Sequence, residues 1–315
     1  MSTEALEDLI ARDSPQFDVP RGMIRRMTGV DRRYIRADGW TASDFAVAAS
    51  GKALAEAGLG PGDLDLLIFS AVSTDLLEPA TAHVVAAGLG AGCPVFDVKN
   101  ACNSLLNALE IGDSFIRSGA YRRILVCCGE TLTYALRTGV SGPREFLDAM
   151  VGYTVSDVGA AVVLEASDEP GIIGCSMRAI SAEWAAGAVP VPGARAPRQC
   201  RQRFDLAGMR RAVHRAVGEG DLSWLVAGTG LRPEDASLCC AHLAADLLAD
   251  DFCDVFGVPR SRLVTTIASH GNTGSATLPL QLETSLREGR LRRGDVVLLV
   301  GLASGIGLGA LWLRL

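Results

Sequence analysis

Lysine is almost missing from this 315-residue chain: it stands only at Lys52 and Lys99, and arginine supplies the rest of the 30 basic residues. The formal net charge is −6, and no stretch has the density of positive charge that a nucleic-acid surface needs, which excludes that class of partner. Aromatic residues make up only 5% of the chain while 49% is hydrophobic, the balance expected of an α/β protein packed with small aliphatic side chains. No apolar run reaches the length of a membrane span, so no membrane partner is expected. The opening residues lack the pattern of a secretory or transit signal, and the nine cysteines are odd in number and irregular in spacing. Together these predict a reducing, cytoplasmic setting without a disulfide framework. The doublets Cys127-Cys128 and Cys239-Cys240 lie inside apolar runs. Neighbouring residues on a strand face opposite ways, so one zinc ion would not easily take both, and core packing without a metal site is the expectation.

Strand and helix patterns alternate along the chain. A helix is predicted over 42–58, with Thr41 or Ser43 near its start and Gly58 as its stop. A buried strand follows over 64–72, a helix over 80–90, a strand over 93–98, a helix from about 103 to 117 and a strand over 122–130. A strand over 158–166 closes this half. Such alternation predicts a largely parallel sheet covered by helices on both faces.

The second half repeats the first. "GLGPGDLDLLIFSAVSTDLL" (58–77) has its counterpart in "GLRPEDASLCCAHLAADLL" (230–248), and "CPVFDVKNACNSLLNALEIGDSFIRSG" (93–119) in "RLVTTIASHGNTGSATLPLQLETSLREG" (262–289). "YRRILVCCGE" is echoed by "RRGDVVLLVGLASG". Setting Gly119 on Gly289 puts Cys102 on Asn272, and setting Pro61 on Pro233 puts Ser70 beside His242. Residues 1–166 and 167–315 are therefore read as duplicated halves, whose equivalent strand–helix junctions converge about a pseudo-twofold axis. Cys102, His242 and Asn272 all lie at such junctions, where ligands of α/β sheets gather.

Cys102 stands at or just before a predicted helix N-terminus, where unpaired N–H groups lower a thiol's pKa. A thiolate there attacks acyl thioesters and becomes acylated. A lone cysteine after a strand is more often a buried core residue; the "NACN" setting and the repeat are what single out Cys102. A lone histidine at a strand end is likewise commonly a hydrogen-bonded core residue. His83, placed on an apolar helix face, and His214, among arginines, fit that account, whereas His270, two residues before Asn272, ranks as a second candidate to His242. "GLASGIGLG" (301–309) lacks the βαβ unit and the acidic residue of a dinucleotide loop. It reads instead as a turn whose backbone N–H groups form an oxyanion hole with the N–H of Cys102.

With Cys102 in "DVKNACNS", His242 after a strand, Asn272 in "GNTGSA" and the terminal "GLASGIGLGA", the chain resembles the ketoacyl synthase III branch of the thiolase superfamily. "MTGVDRRYI" (27–35), "LGPGDLDLLIFS" (59–70) and "SDVGAAVVLE" (156–165) extend the resemblance over nearly the whole chain. It implies a five-layered αβαβα thiolase-like fold, a homodimer, and a Cys102–His242–Asn272 site. It also implies an acyl carrier protein as partner, and no cofactor beyond the phosphopantetheine or CoA thioester that serves as substrate. Cys102 would take the acyl group; His242 and Asn272 would hold the carbonyl of a malonyl-type extender as it loses carbon dioxide. The N–H groups of Cys102 and Ser304 would receive the oxyanion.

Several positions depart from the family's pattern. Met23 and Met27 stand where an aromatic and an arginine sandwich the CoA adenine. Ala245 replaces an asparagine on the pantetheine arm, and Leu247 an arginine associated with carrier docking. Glu78 takes the place of an apolar residue that reaches the partner's acyl pocket, Leu302 that of a phenylalanine, and Ser304 that of a glycine. The chain also starts late relative to the family, by roughly one strand. These departures turn the expectation from CoA and housekeeping fatty-acid initiation toward a carrier-bound or polar acyl group in a specialised, secondary-metabolite pathway. Glu78 and Leu302 are then the expected pocket residues. Two other readings stay open: acyl transfer from Cys102 to a hydroxyl, amine or carrier thiol without condensation, and a non-catalytic partner subunit of a ketosynthase.

Overall fold

A computed structural model of the chain describes residues 1–169, 171–189, 203–217, 222–226 and 228–315; Cys200 lies outside them. Helices α1 (Thr3–Asp13), α2 (Met23–Thr28) and α3 (Ala42–Ala57) come first. The first unit then runs β1 (Leu66–Ser70), α4 (Thr81–Leu89), β2 (Val95–Val98), α5 (Ser104–Arg117), β3 (Arg123–Thr131), α6 (Pro143–Asp148) and β4 (Asp157–Glu165). Strand β5 (Ile172–Ala179), a ribbon of β6 (Gly187–Ala188) and β7 (Arg203–Phe204), and helices α7 (Leu206–Val217) and α8 (Ser223–Val226) follow. The second unit is β8 (Leu238–Ala241), α9 (Ala249–Phe256), β9 (Leu263–Val264), α10 (Ile267–His270), α11 (Thr277–Arg287), β10 (Val296–Ala303) and β11 (Gly307–Arg314).

Local chemistry accounts for the helix limits. Thr41 caps α3: its hydroxyl accepts the Asp44 N–H while the Asp44 carboxylate accepts the Thr41 N–H, and Gly58, at φ +66°, ends the helix. The Asp97 carboxylate at the end of β2 accepts the N–H groups of Thr81 and Ala82, which opens α4.

The two main sheets have strand orders β2-β1-β3-β4 and β5-β11-β10-β8-β9. Without β5 the second reads β9-β8-β10-β11, the same order as the first. β1 pairs in parallel with β2 and β3, as β8 does with β9 and β10. The expectation of largely parallel sheets needs correction. β3–β4, β10–β11 and β11–β5 are antiparallel and carry the longest pairings. For β10–β11 the physical reason is connection length: β10 returns as β11 through the turn 304–306, far too short for the crossover that parallel strands require.

Five layers result. α3 and α4 cover the outer face of the first sheet, α5 and α11 lie between the sheets, and the segment bearing α7, α8 and α9 covers the second sheet. Close approach of α3 depends on two glycines. A Cβ on Gly129 of β3 would stand 1.8 Å from the Ala42 carbonyl oxygen, and one on Gly159 of β4 would stand 2.2 Å from that of Phe45. Cys127, Cys128, Cys239 and Cys240 are all fully buried, with Cys239 and Cys240 in cores on opposite faces of their sheet. His83 differs from its expected place, being exposed on α4 rather than turned to the core. Among the described residues, no helix is long and apolar enough to cross a membrane.

Candidate active site

The repeat is visible in the backbone at the two junctions between the sheets. Cys102 stands two residues before α5, and Asn272 two residues before the 3-10 turn Gly274–Ala276 that leads into α11. Each follows a residue in the left-handed region: Ala101 at φ +48° and Gly271 at φ +70°. A non-glycine residue at positive φ costs of order 1 kcal/mol or more, so Ala101 must be held in place. The Ser275 hydroxyl does part of this by donating to the Ala101 carbonyl at 3.1 Å.

Asn272 is held from the other half of the chain: its N–H donates to the Thr154 carbonyl at 2.7 Å and its carbonyl accepts the Ser156 N–H at 2.9 Å. Its side-chain oxygen accepts the Gly274 N–H at 3.0 Å, which leaves the amide NH2 as the group free to donate. His242 follows β8 directly, donates its backbone N–H to the Val300 carbonyl, and is almost wholly buried. Its Nδ1 lies 2.9 Å from the Thr277 hydroxyl.

Cys102, His242, Asn272, Leu302 and Ser304 line one cavity of about 190 Å³, whose other walls are chiefly aliphatic and aromatic. The duplicated halves thus bring together the residues that the repeat aligned. Glu78 is elsewhere: it lies on an exposed loop beside Leu77, which is 88% exposed, and away from this cavity. His270 is also outside; its Nδ1 meets the Ser269 hydroxyl and its ring lies against Tyr34. His214 departs from its bland expectation, since it lines the cavity with Arg210 and Asp251. The Asp251 carboxylate accepts from Arg210 Nε at 2.9 Å and meets His214 Nε2 at 3.1 Å.

The electrostatics reverse one expectation. The Cys102 thiol is pushed up to about 12, first by burial and then by the negative charge of Glu130, so the helix start does not leave a resting thiolate. Burial lowers the His242 pKa to about 4, leaving a neutral imidazole. A neutral thiol beside a neutral imidazole needs proton transfer before it can attack.

Glu130, Thr273 and Thr277 were not singled out by sequence reasoning. Glu130 stands next to last in β3 as a fully buried carboxylate, and the only hint in the sequence is a charged residue closing the apolar run "RRILVCCGE". Among the described residues, no group of three or more histidine, cysteine or acidic side chains is placed to hold a metal ion.

Two alike α/β halves that meet at a half-buried cysteine and a buried histidine and asparagine define a thiolase-like αβαβα protein. The family model of 3-oxoacyl-[acyl-carrier-protein] synthase III matches residues 96–181, and that of its C-terminal part matches residues 226–315. The chain is 36% identical over 307 residues to beta-ketoacyl-[acyl-carrier-protein] synthase III 3 of Streptomyces coelicolor, covering 93% of this chain and 89% of the relative. It is 33% identical over 295 residues to the synthase III of Thiobacillus denitrificans, covering 91% and 88%. Among solved structures, 3-oxoacyl-[acyl-carrier-protein] synthase III of Aquifex aeolicus superposes with a TM-score of 0.85 at 27% identity, over 100% of this chain and 95% of that one. OleA of Xanthomonas campestris shares the fold with a TM-score of 0.89 at 24% identity, over 100% and 93%. The chain belongs to the 3-oxoacyl-[acyl-carrier-protein] synthase III family and is an acyltransferase of that type.

Proposed function

We propose that this protein forms a carbon–carbon bond by decarboxylative condensation on an acyl group held by Cys102. The observation that carries the reading is the convergence of Cys102, His242 and Asn272, from both halves of the chain, on one apolar cavity that Ser304 also lines. In the first half-reaction the Cys102 sulfur attacks the donor thioester carbonyl while His242 takes the thiol proton; the donor thiolate leaves and recovers that proton. In the second, a malonyl-type extender loses carbon dioxide, and its enolate attacks the Cys102 thioester. The Asn272 NH2 and His242 stabilise the enolate oxygen, and the N–H groups of Cys102 and Ser304 receive the oxyanion before Cys102 departs as thiolate. The apolar walls of the cavity strengthen each of these interactions.

The extender, and by preference the donor, arrive on an acyl carrier protein, in a specialised pathway, with thioester substrates and no further cofactor. The working form is a homodimer of chains whose halves are residues 1–166 and 167–315. The exposed loop bearing Leu77 and Glu78 supplies Glu78 to the partner's acyl pocket, where it selects an acyl group with a polar or cationic end. Glu78→Phe is then expected to shift relative kcat/KM toward plain alkyl thioesters by about tenfold, on the scale of a single altered pocket contact. Equal selectivity in wild type and variant would remove Glu78 from the pocket.

A second reading, acyl transfer from Cys102 to a hydroxyl or amine, is favoured by the neutral buried imidazole of His242, a ready general base. The test offers candidate acyl-carrier thioesters and maps the added mass by peptide analysis. The expected adduct lies on the peptide of Cys102 and is discharged by malonyl carrier with release of carbon dioxide. Discharge only by an alcohol or amine establishes the second reading, and no adduct with any donor overturns both.

A further inference from the structure

Three neighbours surround the Thr277 hydroxyl at the start of α11. Its oxygen lies 2.9 Å from the Gly274 carbonyl oxygen, 2.9 Å from the His242 Nδ1 and 2.9 Å from the Thr273 hydroxyl. All of these groups are buried: Thr273 and Thr277 are 1% and 5% exposed and His242 3%, so open solvent does not supply alternative partners. A hydroxyl has one proton to give and two lone pairs. A carbonyl oxygen only accepts, whereas an imidazole nitrogen and a second hydroxyl can do either. One arrangement alone makes all three contacts hydrogen bonds: Thr277 donates to Gly274, and both Thr273 and His242 Nδ1 donate to Thr277.

We propose that Thr277, backed by Thr273, is a positioning residue that fixes resting His242 as the Nδ1–H tautomer and leaves the Nε2 lone pair as its reactive face. With the Asn272 amide oxygen engaged by Gly274, the resting site then holds one acceptor, His242, and one donor, Asn272. That pairing is set for the acylation half-reaction, in which Nε2 takes the Cys102 proton and returns it to the departing thiolate. Support of an enolate by His242 needs the other tautomer, with a proton on Nε2 and none on Nδ1. Thr277 can serve that state as well, because rotation of its O–H away from Gly274 turns it into a donor to Nδ1. The net change is one proton moved between the two ring nitrogens by exchange with solvent, with no change in charge. Thr277 thereby holds His242 in either half-reaction while favouring the Nδ1–H form at rest; the first consequence rests on the function proposed above, whereas the resting tautomer does not.

The test uses the full chain labelled with 15N-histidine, with the His242 signals assigned by their loss in a His242→Asn protein. Wild type and Thr277→Ser are expected to show a protonated Nδ1 and an unprotonated Nε2. Thr277→Val is expected to lose that pattern and to acylate Cys102 about tenfold more slowly, with Ser restoring the rate to within about twofold of wild type. The Ser variant keeps the test decisive should the Val protein fold poorly. A wild-type resting state with the proton on Nε2 overturns the proposal, as does a folded Thr277→Val protein with unchanged nitrogen shifts and unchanged acylation. If no thioester acylates Cys102 in any form, the proposed function fails, while the nitrogen shifts still decide the tautomer.

Discussion

Replacement of His242 by alanine is expected to slow acylation of Cys102 by about a thousandfold at neutral pH, within the usual reach of a general base. The thiol is pushed up to about 12, so the thiolate fraction near pH 7 is on the order of 10⁻⁵ without a proton acceptor. In the variant the rate should climb about tenfold per pH unit, because hydroxide must then do what the imidazole did. Wild type should depend less steeply on pH. A variant within about tenfold of wild type, with the same pH profile, would show that the imidazole does not take the thiol proton. The same histidine makes stability depend on pH in a defined direction. The His242 pKa falls from 6.5 to about 4 on folding, so between those values the unfolded chain binds a proton that the folded one refuses. Stability is therefore fully present above pH 6.5 and is lost as pH falls toward 4, by roughly 3 kcal/mol for a group this buried. Urea unfolding at pH 7 and pH 4.5 should show that loss in wild type and a smaller one in His242→Ala.

The three residues of the candidate site were legible because duplication leaves a linear record. Helix ends, turns and strand lengths recur, and aligning Gly119 with Gly289 is enough to place Cys102 against Asn272. The helix limits were legible for a similar reason: Thr41, Gly58 and Gly90 act on their own neighbours. Pairing direction was not, since β4 and β11 have the same aliphatic composition that a buried parallel strand would have. The state of the Cys102 thiol is not legible because helix position is local, while burial and the charge of Glu130 come from residues far away in sequence. Thr277 and Thr273 escaped notice for the same reason. A threonine at a helix start is ordinary, and only the arrival of His242 Nδ1 from β8 gives this one a chemical role.

Glu130→Ala is expected to lower stability by about 4 kcal/mol, the largest loss foreseen for a single side chain here. The carboxylate is fully buried and accepts three backbone N–H groups: Val72 at 3.0 Å, Ser73 at 3.1 Å and Ser275 at 3.0 Å. The first two follow β1 and the third precedes α11, so one side chain ties the two repeat units together. Deletion leaves two buried donors, Ser73 and Ser275, and the half-buried Val72 donor without partners, each costing about 1–3 kcal/mol before water enters the space. Burial outweighs these bonds and raises the carboxyl pKa, so its charge is held at some cost, which explains why the loss falls short of the sum. Glu130→Gln keeps the shape and one acceptor oxygen, and should lose about half as much. It also removes the negative charge that helps push the Cys102 thiol up, so alkylation of Cys102 at a fixed pH should quicken in the Gln protein. Urea midpoints test the first expectation and mapped iodoacetamide labelling the second. An Ala variant within about 1 kcal/mol of wild type would mean that water satisfies the three donors, and the tie between the halves would lie elsewhere.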